Sequence, residues 1–356
     1  MAASWPGQAM PALAGVTGVT GVTGVAADGF GGADMAGIVA ANRDAAMAAH
    51  FLESAASSPP FFTEISMLRT DIDSLLPQRD FNRRDFVSTA EGSGFAAAVL
   101  PVSAQTVKTD SAGLEAGEVT IAVGDFRMPA YRAAPAGKTG LPVVLVISEI
   151  FGVHEHIADV ARRFAKLGYL AIAPELFVRQ GDAQSYGEVS KLVSEVISKV
   201  PDAQVMGDLD ASVAWAQAHG GDTTRLGITG FCWGGRITWM YTGRNPSVKA
   251  GVAWYGRLVG EPSALSPTHP IDMVGALGGP VLGLYGGADD GIPQDTVERM
   301  KAALVTGNAA ARASQFVVYP DTPHAFHADY RPSYRKEAAD DGWKRCVAWF
   351  KANGVA

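Results

Sequence analysis

Six residues, Gly230-Phe-Cys-Trp-Gly-Gly235, constrain this chain more than any other stretch. They follow Arg225-Leu-Gly-Ile-Thr-Gly230, a short apolar run that reads as a buried strand, and precede Arg236-Ile-Thr-Trp-Met-Tyr-Thr, which reads as a helix. Cys232 therefore stands at a strand-to-helix turn. In a turn of the G-x-S-x-G kind the backbone doubles back so tightly that only small residues fit two places either side of the central one. Gly230 and Gly234 occupy both places, and sulfur replaces oxygen between them. Such a turn lifts the thiol out of the sheet, points a helix N-terminus at it, and sets the Trp233 backbone N–H within reach of a developing oxyanion. The alternative is a buried cysteine in a glycine-rich turn, so residues downstream have to decide.

Pro280-Val-Leu-Gly-Leu-Tyr285 reads as another buried strand and runs into the polar loop Gly286-Gly-Ala-Asp-Asp-Gly-Ile-Pro293, in which Asp289 is the candidate orienting carboxylate. Ser314-Gln-Phe-Val-Val-Tyr319 is a further strand. Its exit loop, Pro320-Asp-Thr-Pro-His-Ala-Phe-His327, supplies His324 as the candidate base. Taken singly, Asp289 reads equally as a cap for a helix starting near Pro293, and His324 or His327 as a plain loop histidine. Taken together, the order Cys, Asp, His, each after a different strand, is the chain order of the α/β-hydrolase triad.

With those residues in place the sequence resembles the dienelactone hydrolases. Ser148-Glu-Ile-Phe-Gly152, after the strand Val143 to Ile147, carries much of the likeness, as do the cysteine turn, Gly-Gly-x-Asp and His-x-Phe. Gly168-Tyr-Leu-Ala-Ile-Ala-Pro-Glu-Leu-Phe177 and Met206-Gly-Asp-Leu-Asp-Ala-Ser-Val213 extend it, so that it covers roughly residues 115 to 353. The resemblance implies that Glu149 interacts with the thiol and helps to generate the thiolate, and that the Ile150 backbone N–H is a second oxyanion donor beside that of Trp233. It also implies arginines that hold a substrate carboxylate. One of these follows the histidine closely in the family, where this chain has Ala328, with Arg331 slightly later.

The chemistry expected of Cys232, Asp289, His324 and Glu149 is hydrolysis of an activated ester or enol lactone through a thioester acyl-enzyme. It needs no cofactor. Phe151, Tyr255, Phe326 and Trp233 lie near the same loops in sequence and are candidates to line an apolar pocket, with plain core packing as their alternative. Two other readings compete: an exported hydrolase-like binding protein without turnover, and a thiol redox protein, which the absence of a C-x-x-C pair disfavours. The second cysteine, Cys346, falls on a packed helix face with Trp343, Val347 and Phe350, so neither a disulfide framework nor a cysteine metal site is expected. His154 and His156 lack helical i, i+4 spacing and a third ligand, which argues against a metal there.

A formal net charge of −7 without a Lys/Arg cluster argues against nucleic acid, and no apolar run approaches ~20 residues, so no membrane span is expected. The partner is a small-molecule ester or lactone, and a monomer or small homo-oligomer is expected. Residues 1–81 are Ala- and Gly-rich, with three Gly-Val-Thr triplets between Gly15 and Thr23, and read as a disordered extension; Met67 is an alternative start. Residues 82–104 resemble a twin-arginine export signal: Arg83-Arg84, then an apolar stretch rich in Gly and Ala, then Val102-Ser-Ala104 as a cleavage site. The expected location is thus the periplasm, with the cytoplasm as alternative.

Residues 105–356 are expected to form one α/β domain, a doubly wound, mostly parallel sheet flanked by helices. It opens with a hairpin around Gly124-Asp125. Strands follow over Leu141 to Ile147 and Tyr169 to Ala173, and helices over Ile157 to Leu167, Ser185 to Val200 and Ala203 to Ala218.

Overall fold

A computed structural model describes residues 106–356. The extension and the export signal read over residues 1–104 lie outside the described residues. Fifteen strands and helices follow in chain order, and short 3-10 turns join some of them. An antiparallel hairpin, β1 (Leu114–Val123) and β2 (Phe126–Pro135), turns at Gly124-Asp125 and is longer than its alternation suggests. Next come β3 (Leu141–Ile147), α1 (Glu155–Lys166), β4 (Leu170–Pro174), α2 (Val189–Glu195) and α3 (Asp202–Ala218). The second half holds β5 (Gly221–Phe231), α4 (Trp233–Arg244), β6 (Val248–Trp254), β7 (Val281–Gly286), α5 (Gln294–Thr306), α6 (Ala309–Ala313), β8 (Gln315–Tyr319) and α7 (Lys336–Ala352).

The strands form one sheet in the order β1-β2-β4-β3-β5-β6-β7-β8. Pairing is antiparallel from β1 to β4 and parallel from β4 to β8. This is the doubly wound α/β-hydrolase architecture. Helices cover both faces of the parallel part, which is why β3, β4 and β7 read as unbroken apolar runs rather than alternating ones. Each Val, Leu or Ile fully buried in such a run contributes about 1.5–3 kcal/mol. The chain leaves β3 for β4 on one side and returns to β5 on the other, so the sheet reverses winding between β3 and β5. Loops at the C-terminal ends of those two strands open a crevice there.

Three expectations need correction. The helix read over Ser185 to Val200 is only α2, flanked by 3-10 turns at Ala183–Ser185 and Ile197–Lys199. Val196 leaves helical geometry at φ −121°, ψ −67°, and the chain turns there to bury Val196, Ile197 and Val200. Helix α1 starts at Glu155, two residues before its apolar period begins, with Glu155 in the favourable acidic first turn. Strand β6 is left unassigned by the apolar-run reading, yet it lies between β5 and β7 in the sheet. In α7, Cys346 and Phe350 are fully buried, as their spacing predicts. Among the described residues no helix is long and apolar enough to cross a membrane.

Candidate active site

Cys232 is the N-cap of α4, at φ 53° and ψ −115°. A non-glycine residue rarely adopts such a conformation, which stores about 1–3 kcal/mol of strain. The surrounding bonds over-determine it: the Cys232 N–H donates to the Trp254 carbonyl at 3.0 Å, and the Cys232 carbonyl accepts the Gly235 N–H at 2.9 Å. A Cβ on Gly230 would strike the Gly234 carbonyl, and one on Gly234 would strike the Ile147 carbonyl. Both glycines are therefore required for α4 to approach β3 and β5 so closely. Cys232 itself stays partly exposed.

Among the described residues the other two positive-φ residues that are not glycine are Tyr255 (40°) and Ala325 (57°), each at this same end of the sheet. Tyr255 follows β6, and Ala325 follows His324. Strain thus gathers around one set of loops, as expected where side chains are held for function.

Asp289, after β7, and His324, after β8, meet across 35 positions, with His324 Nδ1 2.8 Å from Asp289 Oδ2. The other carboxylate oxygen accepts the Gly291 and Ile292 N–H groups at 3.0 and 3.1 Å. Asp289 thereby holds its own turn while orienting the histidine, and it is not the cap of α5, whose N-cap is Pro293. Among the described residues His324 Nε2 has no other hydrogen-bond partner, and the ring interacts with the Cys232 sulfur. Burial disfavours the imidazolium, but the Asp289 carboxylate and Cys232 outweigh it and hold His324 well above the ordinary histidine range. His327 does not join them. It packs among His156, Phe231 and Trp254 and is pushed well below the ordinary range, first by burial and then by His156 and Arg163.

Glu149 is fully buried in the loop after β3. Its Oε2 lies 3.4 Å from His154 Nε2, and among the described residues neither carboxylate oxygen has a hydrogen-bond partner. Burial raises its pKa, yet His154, His156 and Arg331 outweigh that and lower it to about 2, leaving a carboxylate. His154 moves down, because desolvation exceeds the attraction of Glu149. His156 pairs instead with Asp329 at 2.9 Å. Among the described residues no His/Cys/Asp/Glu cluster fits a metal ion.

Arg331 follows Ala328 by three residues and is buried. Successive turns, Ala328 N–H to Ala325 O and Arg331 N–H to Ala328 O, fold the chain back. The guanidinium then lies 4.7 Å from the Phe151 ring centre and 5.1 Å from that of Tyr330. Arg331 also feels Glu149 and Cys232. Tyr255 is fully buried, edge-on to His324 at 5.0 Å. Its hydroxyl has no hydrogen-bond partner, and burial, then Glu149, Tyr330 and Cys232, keep it protonated by raising its pKa well above the ordinary value. Phe326 is fully buried against Trp254, Tyr255 and Tyr319, which is core packing. Trp233 leans on Phe177. His154, weighed from the sequence only as a metal ligand, and Tyr330, which local pattern does not single out, belong to the same cluster, with Tyr330 Oη 3.3 Å from His154 Nε2.

Neither the Ile150 nor the Trp233 backbone N–H has an acceptor among the described residues. Buried N–H groups are seldom left so. Ile150 lies in the loop after β3, and Trp233 follows Cys232 after β5.

The dienelactone hydrolase family model matches residues 128–354. A protein of Methylorubrum extorquens described as a carboxymethylenebutenolidase is 60% identical over 288 residues, covering 80% of this chain and 98% of its own. A protein of Escherichia coli K12 with the same description is 52% identical over 269 residues, covering 75% and 98%. A crystal structure described as a dienelactone hydrolase of Klebsiella pneumoniae superposes with a TM-score of 0.65 at 57% identity, covering 67% of this chain and 98% of that one. From the elbow, the strand-end loops and these likenesses together, the chain belongs to the dienelactone hydrolase family and is a carboxylic ester hydrolase.

Proposed function

We propose that the protein hydrolyses an activated ester or enol lactone with Cys232 as nucleophile, His324 as base and Asp289 as its orienting carboxylate. The observation that carries this reading is the His324 ring, bonded to Asp289 through Nδ1 and left with Nε2 for the thiol. The imidazole takes the thiol proton, and the sulfur attacks the substrate carbonyl carbon. The carbonyl π pair moves onto oxygen, which the Ile150 and Trp233 N–H groups receive; because they have no protein acceptor to give up, they are preorganised for it. Collapse breaks the bond to the leaving oxygen, which takes the proton from the imidazolium. Water, deprotonated by His324, then attacks the thioester carbonyl, and the thiolate departs and recovers a proton.

A thiolate suits leaving groups that depart readily. Enol lactones and aryl esters should therefore turn over, while alkyl amides of the same acyl group should not, and a panel of the three, run with purified protein, tests the reading. Equal rates for amide and ester, or no turnover of either ester class, would overturn it. Arg331, beside Phe151, is the group in this site suited to a substrate carboxylate.

Glu149 fits the same chemistry through charge. Its carboxylate is fixed as an anion, and Tyr255, Tyr330 and Arg331 each interact with both it and Cys232. An anion so placed opposes a second negative charge beside it until substrate enters. Glu149→Gln is expected to lower kcat by about tenfold or more, with faster alkylation of Cys232 by iodoacetamide between pH 5 and 9. Unchanged turnover with an unchanged alkylation profile would reduce Glu149 to a structural residue of its loop.

A further inference from the structure

Glu175 is the first residue after β4, next to β3 in the sheet, and the reaction above gives it no task. It is buried, 7% exposed, and among the described residues no basic side chain pairs with it. Its Oε1 accepts the Val153 N–H. A Cβ on Gly152 would stand 2.5 Å from Oε1 and 2.9 Å from Oε2, so the carboxyl lies directly against the Gly152 backbone. Gly152 is at φ +73°, a conformation that glycine adopts without strain. Gln184 Nε2 closes the turn from the far side by donating to the Val153 carbonyl at 3.3 Å. The Glu175 N–H is itself tied to the Pro129 carbonyl at 2.9 Å. The acid thus clamps the loop from Glu149 to Val153 onto the sheet, two residues beyond Ile150.

We propose that Glu175 is a positioning residue, which fixes the turn at Gly152-Val153 and through it the direction of the Ile150 N–H toward the carbonyl oxygen attacked by Cys232. The proposal rests on the reading of Ile150 as an oxyanion donor. It gives the β4 strand end a share in catalysis without contact with substrate. Asp182 is the charged side chain recorded against Glu175, and its like sign adds to burial in raising the Glu175 pKa to about 7, against the pull of Val153 and Gln184. Burial and Asp182 disfavour the charged form, while the Val153 N–H has an oxygen to bond in either form, so ionisation costs desolvation without releasing the turn. The folded chain holds this proton to higher pH than the unfolded chain does. Its effect on stability is thus absent below pH 4.5, the unfolded value, and grows into a cost as pH rises from there to about 7.

The test compares the full chain with Glu175→Gln, which keeps an acceptor and the shape but cannot ionise, and Glu175→Ala, which leaves the turn unclamped. Three quantities are read: hydrogen exchange of the 149–153 segment, kcat and KM for 4-nitrophenyl acetate, and Tm from pH 5 to 8.5. Glu175→Ala should speed exchange of that segment and lower kcat about ten- to a hundredfold, with KM changed less than about threefold. Glu175→Gln should keep kcat within about threefold at pH 6 and lessen the fall in Tm between pH 5 and pH 8, leaving the part that His324 contributes. Unchanged exchange in Glu175→Ala overturns the proposal, as does faster exchange with unchanged kcat. If the alanine variant does not fold, the glutamine variant decides, and a Tm profile identical to the parent's overturns the clamp. Retained turnover in Cys232→Ala would instead overturn the reading of the site, while exchange and Tm would still report whether Glu175 holds the loop.

Discussion

Replacing Cys232 by alanine should lower turnover of an aryl ester by about 10⁴-fold or more, the scale on which removing a nucleophile from a cooperating set of residues acts. The fold should survive. Cys232 is only partly buried at the margin of the core, so alanine loses little packing, and the turn depends on backbone bonds and on Gly230 and Gly234. Alanine at this φ retains the strain that cysteine already bears. A slow substrate or an electrophilic probe should add its mass to Cys232 in the parent protein. Cys346 is an internal control: it is fully buried in α7, and burial pushes its thiol up, away from the thiolate that reacts. An adduct on Cys346, with Cys232 unmodified and activity retained, would sink the assignment.

Asp289→Asn should come next in size, at about 10³–10⁴-fold in kcat/KM, because an amide can fill the aspartate's place while presenting the wrong partner to the imidazole. Asn keeps one oxygen for the Gly291 and Ile292 N–H groups, so the turn after β7 should hold. Its amide nitrogen then faces His324 Nδ1, two donors meet, and the ring is driven to the tautomer whose Nε2 carries the proton. That tautomer has no lone pair for the thiol. The lost charge has a second, measurable consequence. Asp289 holds the His324 pKa above its unfolded value, so the pair stabilises the fold fully below about pH 6.5, and this stability is lost as pH rises through the raised folded value. Asp289→Asn should remove that pH dependence of Tm and bring the His324 titration, followed by NMR, toward the ordinary range or below. An unshifted titration with activity within about threefold would show that the two side chains are neighbours without a shared role.

The sequence alone determined the chain order of the site. Strands buried on both faces must be continuous apolar runs, and the tight turn at Cys232 must carry glycine at both flanks, so β3, β7, the second half of β5 and the loops after them are written in residue type, while β8, a half-buried edge strand, is marked by its Phe-Val-Val-Tyr run. Cys232, Asp289 and His324 follow from this without reference to any contact. Where residue type and local period carry no information, tertiary structure decided. Strand β6 and the break in α2 are settled by what packs over them. That Glu149 lies 3.4 Å from His154 is set by the turns after β3, which bring a carboxylate and an imidazole together in a buried loop. Arg331 reaches Phe151 only because the chain after His324 winds through consecutive turns. Glu175 reads as an ordinary strand-end acid until Gly152, far from it in sequence, is seen to leave room for its carboxyl. Local rules fix which side chains stand at the strand ends, because a strand's period and burial are local. Which of those side chains touch is set by strand order and loop closure, and these are properties of the whole sheet.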